Sequence, residues 1–288
     1  MKTTLTLAAA AFATLVGSAS AEIIYGLTTQ NDVFLIDSAA PSVVLDGGAV
    51  GGLPAGVDLQ AIDYRAATET IYLLDDMENV YTFDPVTFDA TLVGTFSPRI
   101  PGVSYAFDFN PAFSGGEFAR IITDSNDNRV ISGDTGQYLA PVEKTDVFYP
   151  AGDPNFGADP NIAGIAYTNS FGVPTSTQQF GIDSDLGVLV TVANNAGTLD
   201  TVGSLGVGLI TNELGFDISG ATGIAYAALQ DGPNSGLFTI DLATGAATEV
   251  GDFGSGDLVR SLTVIPIPEP TTLGLAGVAA MTLLRRRR

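Results

Sequence analysis

The sequence predicts an all-β protein, a five-bladed β-propeller of four-stranded blades. Short segments rich in Val, Ile, Thr and Phe alternate with turns, and 34 of the 288 residues are glycine. The plan is clearest in 237–251, where two apolar strands flank a tight turn at 243–245. Gly245 permits a positive φ in that turn at no steric cost. The same plan recurs over 81–94 and, more faintly, over 189–203.

Five motifs of a small, a hydrophobic and a polar or small residue mark the opening strand of each copy. They are Ala61-Ile62-Asp63, Ala106-Phe107-Asp108, Gly164-Ile165-Ala166, Gly215-Phe216-Asp217 and Ser261-Leu262-Thr263. Their third positions are 45, 58, 51 and 46 residues apart. A period of ~40–60 residues with four strand-like segments in each copy is typical of propeller blades. In the third copy, the fourth strand is predicted at 137–141.

The first copy lacks its opening strand. Segments 23–28, 33–37 and 43–46 match the second to fourth strands, and 258–265 supplies the missing first strand at the other end of the domain. A ring closed in this way has no free edge between its ends, and free edges invite aggregation. An open array of β-sandwich domains is the alternative, but it does not explain the divided copy.

The composition excludes several classes of function. There is no Cys and no His, so disulfides, thiolate metal sites and Ser-His-Asp or Cys-His relays are absent. Residues 22–265 contain six basic and 31 acidic residues. A surface this acidic repels nucleic acid and favours solubility or divalent cations.

Residues 1–21 have the pattern of a secretory signal peptide. Lys2 precedes an apolar run over 5–16, and Ala19-Ser20-Ala21 forms a small-residue cleavage site before Glu22. We therefore predict export and a mature propeller domain over 22–265.

Residues 266–288 form a separate tail. Pro268-Glu269-Pro270 is followed by an apolar run of about 14 residues and by Arg285, Arg286, Arg287 and Arg288. The run is shorter than the ~20 residues of a comfortable membrane span, but the Pro-containing segment before it and snorkelling arginines lengthen it. The terminal arginines favour the cytoplasmic side, which leaves the propeller outside.

The tail resembles the PEP-CTERM sorting signal of exported bacterial proteins, with all three parts in order. The resemblance implies recognition of Glu269 and its prolines by an exosortase-type enzyme of the inner membrane. It further implies a transient anchor, then a place at the cell surface or outside the cell, in bacteria that make exopolysaccharide.

The central region resembles a secreted domain-of-unknown-function family, DUF4394. The resemblance runs from 24–27 through 59–65, 107–111, 199–203 and 237–241. It supports the fold and implies no catalytic residues.

Asp63, Asp108 and Asp217 share one position of the repeat. A ring of carboxylates on the innermost strands is a candidate calcium site, because Ca²⁺ prefers oxygen ligands. The structural interpretation is that each Asp accepts hydrogen bonds from turn amides of its own or the next blade. Ala166 and Thr263 interrupt the ring, which favours the structural interpretation.

These observations predict a non-catalytic binding or scaffolding propeller, without a required cofactor and with exopolysaccharide as a candidate partner. The exposed, Pro- and Asp-rich loop 153–160 is the preferred binding surface. The alternative is a calcium-dependent hydrolase or lyase that acts on a sugar or ester through carboxylates. A spacer without a ligand is a third hypothesis.

Overall fold

The strands form five antiparallel sheets around one axis. The computed structural model describes residues 21–139, 145–208, 210–230 and 234–265. Within them, 19 strands divide into one three-stranded and four four-stranded sheets, which are the blades of a five-bladed propeller. The predicted fold class is confirmed.

The blades are numbered around the ring, and the strands of each are given from the innermost outward. Blade 1 contains β19 (Val259–Ile265), β1 (Ile23–Thr28), β2 (Asp32–Asp37) and β3 (Val44–Ala49). Blade 2 contains β4 (Leu59–Arg65), β5 (Thr70–Asp75), β6 (Asn79–Asp84) and β7 (Asp89–Thr95). Blade 3 contains β8 (Tyr105–Phe109), β9 (Phe118–Thr123) and β10 (Asn128–Ser132). Blade 4 contains β11 (Ile162–Tyr167), β12 (Gln179–Asp183), β13 (Val188–Val192) and β14 (Leu199–Ser204). Blade 5 contains β15 (Gly215–Ile218), β16 (Ala225–Gln230), β17 (Ser235–Ile240) and β18 (Ala247–Asp252). Short 3-10 turns lie at Ser114–Gly116 and Asn194–Ala196.

The innermost strands contact one another in a closed ring, in the order β4, β8, β11, β15, β19 and back to β4. β19 pairs antiparallel with β1, with Ile24 opposite Val264, so the last strand completes the first blade as predicted. The inner strands approach closely: a Cβ added at Gly215 of β15 would lie 2.4 Å from the amide nitrogen of Leu262 in β19. Glycine is therefore required sterically at this point of the ring.

The core is divided among the five interfaces between blades. Each of five buried apolar clusters combines residues of two neighbouring blades; Leu73 and Leu27, for example, lie in the cluster between blades 1 and 2. Burial of apolar area at ~25 cal/mol per Å² makes these interfaces the main source of stability. All five interfaces and the ring closure lie within 22–265, so this segment contains a complete folding unit.

Blade 3 departs from the repeat. Of the fourth strand predicted at 137–141, the described residues form a single bridge between Ile131 and Tyr138, and residues 140 and 141 lie outside the described part. Gln137 donates through Nε2 to the carbonyl of Thr95 in blade 2, at 2.6 Å. The backbone of this segment bonds to β10, from Ser132 N to the carbonyl of Gln137 at 2.8 Å and from Leu139 N to the carbonyl of Val130 at 2.9 Å. Residues 137–139 therefore lie where the fourth strand is predicted, but among the described residues the pairing is a single bridge.

Both predicted targeting segments lie largely outside the described residues, which exclude 1–20 and 266–288. Within the described ranges, no helix is long and apolar enough to cross a membrane. The predicted apolar run 271–284 and the sorting residues Pro268, Glu269 and Pro270 belong to the part that is not described.

Candidate functional site: the axial carboxylates

The structure brings together the three aspartates that the repeat singled out. Asp63 in β4, Asp108 in β8 and Asp217 in β15 occupy the same position of the innermost strand, and each offers a carboxylate oxygen within 4.8 Å of the others. Their exposures are 4%, 4% and 5%, so the cluster is enclosed at the propeller axis.

Two of these carboxylates accept a hydrogen bond from a backbone amide of the next blade. In each case the donor is the residue that follows the third motif position there: Phe109 N donates to Asp63 Oδ2 at 2.8 Å, and Val264 N donates to Asp217 Oδ2 at 2.6 Å. The amide of Tyr167 stands in the same relation to Asp108 and opposes the rise in the pKa of that carboxyl. We call the bonds to Asp63 and Asp217, together with that of Thr263 below, the axial clasps. The predicted turn amides are thus not the donors; strand amides of the adjacent blade are, because neighbouring innermost strands run side by side.

Thr263 continues the clasp pattern, contrary to the expectation that it interrupts the ring. Its Oγ1 accepts from the amide of Tyr64 in blade 2, at 3.0 Å. Ala166 has no acceptor to offer, and the amide of Ile218 instead donates to Oδ1 of its own neighbour, Asp217, at 2.6 Å. Three of the five blade interfaces therefore carry an axial clasp.

Thr263 also connects two of the carboxylates. Its Oγ1 lies 3.2 Å from Asp63 Oδ1 and 3.0 Å from Asp217 Oδ2. A hydroxyl carries a single proton and donates one full hydrogen bond, and this hydroxyl already accepts from Tyr64. Both carboxyl contacts are satisfied when one of the two aspartates is protonated and donates to Thr263 while Thr263 donates to the other.

Burial raises the pKa of all three groups. For Asp63 the negative charge of Asp217 adds to the effect of burial, and for Asp108 the charges of Asp63 and Asp217 do so. The pKa of Asp217 is raised to about 6 by burial, while the amides of Val264 and Ile218 oppose the shift. Like charges in a low-dielectric site favour uptake of a proton or of a cation.

The chemistry of the donor set suits either occupant. A carboxylate oxygen that accepts a hydrogen bond from one amide retains a second lone pair. This lone pair can bind Ca²⁺, which prefers oxygen ligands. A shared proton satisfies the same oxygens through Thr263. The electrostatics of the cluster therefore favour a proton or a cation on the axis.

Comparison with known proteins identifies the chain's family. A family model described as "Domain of unknown function (DUF4394)" matches residues 32–263, well over half of the chain. The chain belongs to this family. A second model, the PEP-CTERM protein-sorting motif, matches residues 266–288. Both resemblances seen in the sequence are thus confirmed.

More distant similarities concern the fold. Among solved structures, a chain of "Crystal structure of Nidogen/Laminin Complex" matches at 12% identity with a TM-score of 0.47, over 85% of this chain and 98% of that chain. A chain of "Dihydro-heme d1 dehydrogenase NirN in complex with DHE" matches at 9% identity with a TM-score of 0.39, over 79% and 43%. The search of curated proteins found no match.

The loop 153–160 of the DUF4394 propeller is held to blade 4. Asp153 accepts from the amide of Thr201 at 2.7 Å and from its hydroxyl at 2.8 Å, and Asn155 donates to the same hydroxyl at 2.9 Å. These bonds lower the pKa of Asp153 below its ordinary value, against the opposing effect of burial. Phe156 is 65% exposed at the surface of this loop. The loop is a fixed projection, and its predicted role in binding stays a prediction.

Sequence reasoning missed Arg120 of β9, which lines a cavity between blades 3 and 4. The signal was available in the repeat. The residue opposite the third motif position is aromatic in the other four blades and arginine in blade 3; the pairs are Thr263 with Tyr25, Asp63 with Tyr72, Ala166 with Phe180, Asp217 with Tyr226, and Asp108 with Arg120.

Replacing Thr263 with valine tests the clasp between blades 1 and 2. Valine keeps the shape but leaves the amide of Tyr64 without its acceptor, so we expect the free energy of unfolding to fall by about 1–3 kcal/mol. Denaturant unfolding at pH 7 measures the change. Thr263→Ser keeps the hydroxyl and should remain close to wild type; equal stability of the valine variant and wild type would contradict the clasp.

The raised pKa values predict that acid stabilises the metal-free propeller relative to neutral pH. Protons bind the folded state more tightly than the unfolded state, so the axial contribution is fully present below pH ~4 and is lost as the pH rises through about 6, the pKa of Asp217. In chelator, Asp108→Asn keeps an amide acceptor but removes a charge. We expect the variant to be more stable than wild type at pH 7.5, by on the order of 2 kcal/mol, with a smaller gain at pH 4.5.

Unfolding curves across pH 4–8 measure this difference. The matched control is Asp200→Asn, since Asp200 is exposed on β14. A pH-independent effect of Asp108→Asn, or an effect equal to that of the control, would show that the axial carboxyl groups ionise freely.

Proposed function

We propose that the protein is a non-catalytic binding propeller, exported and presented at the cell surface through its C-terminal tail. The proposal rests on the hydrogen bonds of the axial carboxylates. Their oxygens accept hydrogen bonds from strand amides of the neighbouring blade, and the groups are enclosed on the axis. Groups committed to joining blades and shielded from solvent are poorly placed to reach a polymeric substrate.

The tail supports the cellular part of the proposal. The PEP-CTERM motif at 266–288 indicates export and C-terminal sorting and implies recognition by an exosortase-type enzyme. We further propose that the tail is removed and that the acidic propeller resides in an exopolysaccharide matrix. Six basic against 31 acidic residues in 22–265 favour a soluble, well-hydrated surface domain.

The second candidate is the calcium-dependent enzyme. It is favoured by the carboxylate oxygens of Asp63, Asp108 and Asp217, which lie within 4.8 Å of one another and suit a divalent cation. In that case the ion would lie on the axis, and a sugar or ester would have to reach it along the axis. The two candidates predict different effects of calcium removal on the melting temperature.

Calcium-dependent melting of residues 22–265 after exhaustive dialysis discriminates between them. A non-catalytic propeller held by a shared proton should contain no stoichiometric ion and melt at the same temperature with and without calcium. A true calcium site would raise the free energy of unfolding by ~2.7 kcal/mol at a hundredfold excess over Kd. A bound ion, together with hydrolase or lyase activity that Asp108→Asn abolishes, would overturn the proposal.

The sorting step is tested by Glu269→Ala in a host that has an exosortase. If the Pro-Glu-Pro segment is the recognition element, the variant should accumulate at the inner membrane with its tail intact, while the wild-type chain appears outside with a shortened C-terminus. Cell fractionation and mass spectrometry of the C-terminus measure this. Glu249→Ala on β18 is the control and should be sorted normally; identical sorting of Glu269→Ala would contradict recognition of the motif.

A further inference from the structure

Arg120 occupies a position that the repeat reserves for an aromatic ring. It lies opposite Asp108 on β9, where the other blades place Tyr or Phe in the core. Its exposure is 5%, so the substitution puts a permanent positive charge inside the molecule. The blade that carries it is also the one whose described residues lack a regular fourth strand.

The guanidinium is held by neutral oxygens. Nε donates to the hydroxyl of Tyr167 at 3.0 Å, and Nη1 donates to Asn128 Oδ1 and, at 3.2 Å, to the carbonyl of Asn194. Nη2 donates to Asn195 Oδ1 at 2.8 Å. Four of the five N–H groups are thereby used, and among the described residues the second N–H of Nη2 has no acceptor.

Among the described residues, Arg120 is also without a counter-charge. The other four arginines of the described chain each pair with a carboxylate; the pairs are Arg65 with Asp134, Arg99 with Glu78, Arg129 with Asp127, and Arg260 with Asp58 and Glu213. No carboxylate of the described residues lies within 4.0 Å of the Arg120 guanidinium. Its cross-strand neighbour Asp108 belongs to the axial carboxylate cluster. A buried charge is costly without a partner, and the acidic residues of the described ranges leave this one unpaired.

The guanidinium lines a cavity of about 160 Å³ between blades 3 and 4. Phe113 and Phe118 form an aromatic wall, with ring centroids 5.2 Å apart, and Asn110 and Asn195 add amide groups. Phe113 is 43% exposed, which places it where the cavity meets solvent. The volume is below the ~300 Å³ of drug-sized pockets, so it suits a small molecule or one residue of a chain.

We propose that this cavity binds a small carboxylate-bearing ring compound, with the carboxylate on Arg120 and the ring against Phe113 and Phe118. Guanidinium groups recognise carboxylates by charge-assisted hydrogen bonds, and a bound carboxylate supplies the missing counter-charge. The inference rests on the proposed binding function and assigns it a site and a ligand class. An acidic sugar and an aromatic acid share this chemistry.

Calorimetric titration of residues 22–265 with glucuronate and with benzoate tests the site, with glucose and benzyl alcohol as neutral counterparts. We expect a carboxylate to bind with a Kd at least tenfold below that of its neutral counterpart. Tighter binding of glucuronate would identify an acidic sugar as the source, and tighter binding of benzoate an aromatic acid. Carboxylate affinity should fall at least tenfold in Arg120→Gln and severalfold in Phe113→Ala.

A control variant, Arg99→Gln, and the variant Phe113→Ala keep the test decisive. Arg99→Gln removes an exposed arginine and should bind as wild type does. Because Arg120→Gln removes four internal hydrogen bonds, Phe113→Ala, at an exposed position, provides the independent test if the former fails to fold. Equal binding of acids and neutral analogues, binding unaffected by both variants, or no binding at millimolar concentrations would overturn the site. Chemical conversion of a bound carboxylate would instead overturn the non-catalytic function and leave the site standing.

Discussion

The axial clasp is the interaction on which the ring depends. The backbones of the five innermost strands approach closely, and a Cβ added at Gly215 would lie 2.4 Å from the amide nitrogen of Leu262. Apolar burial between blades supplies most of the stabilisation but does not set the relative height of neighbouring strands. A carboxylate or hydroxyl that accepts a hydrogen bond from one particular amide of the next blade does set this relative height. The repeat at the third motif position is therefore a repeat of blade registration.

Registration through carboxylates has an electrostatic consequence. Three acidic groups at one level of a narrow axis repel one another once they are enclosed, and burial already disfavours their charge. Thr263 relieves part of this by bridging Asp63 and Asp217. The same groups that join the blades thus favour uptake of a proton, and stability is linked to pH at the centre of the fold.

Much of this architecture could be read from the sequence. The strands predicted at 23–28, 33–37 and 258–265 agree within one residue with β1, β2 and β19, because a polar turn at 29–31 separates the first two and a proline follows the third. The divided first copy predicted the closure by β19. The fourth strand of blade 3 lies beside β10 over 137–139 as predicted, but among the described residues it forms only one bridge. Its sequence pattern does not reveal that the side chain of Gln137 bonds to another blade.

The site was predictable in part. Position in the repeat placed Asp63, Asp108 and Asp217 together, but whether Thr263 breaks or continues the pattern depends on hydroxyl geometry that no spacing encodes. Arg120 was missed because its meaning appears only when second strands are aligned in register.

Native-state hydrogen exchange tests the clasp most directly. If the clasps hold the blades together, the amides of Tyr64, Phe109 and Val264 exchange only through global unfolding, as slowly as that of Leu73 in the middle of blade 2. Exchange of these amides by local fluctuation, faster than that of Leu73, would contradict that role of the clasps.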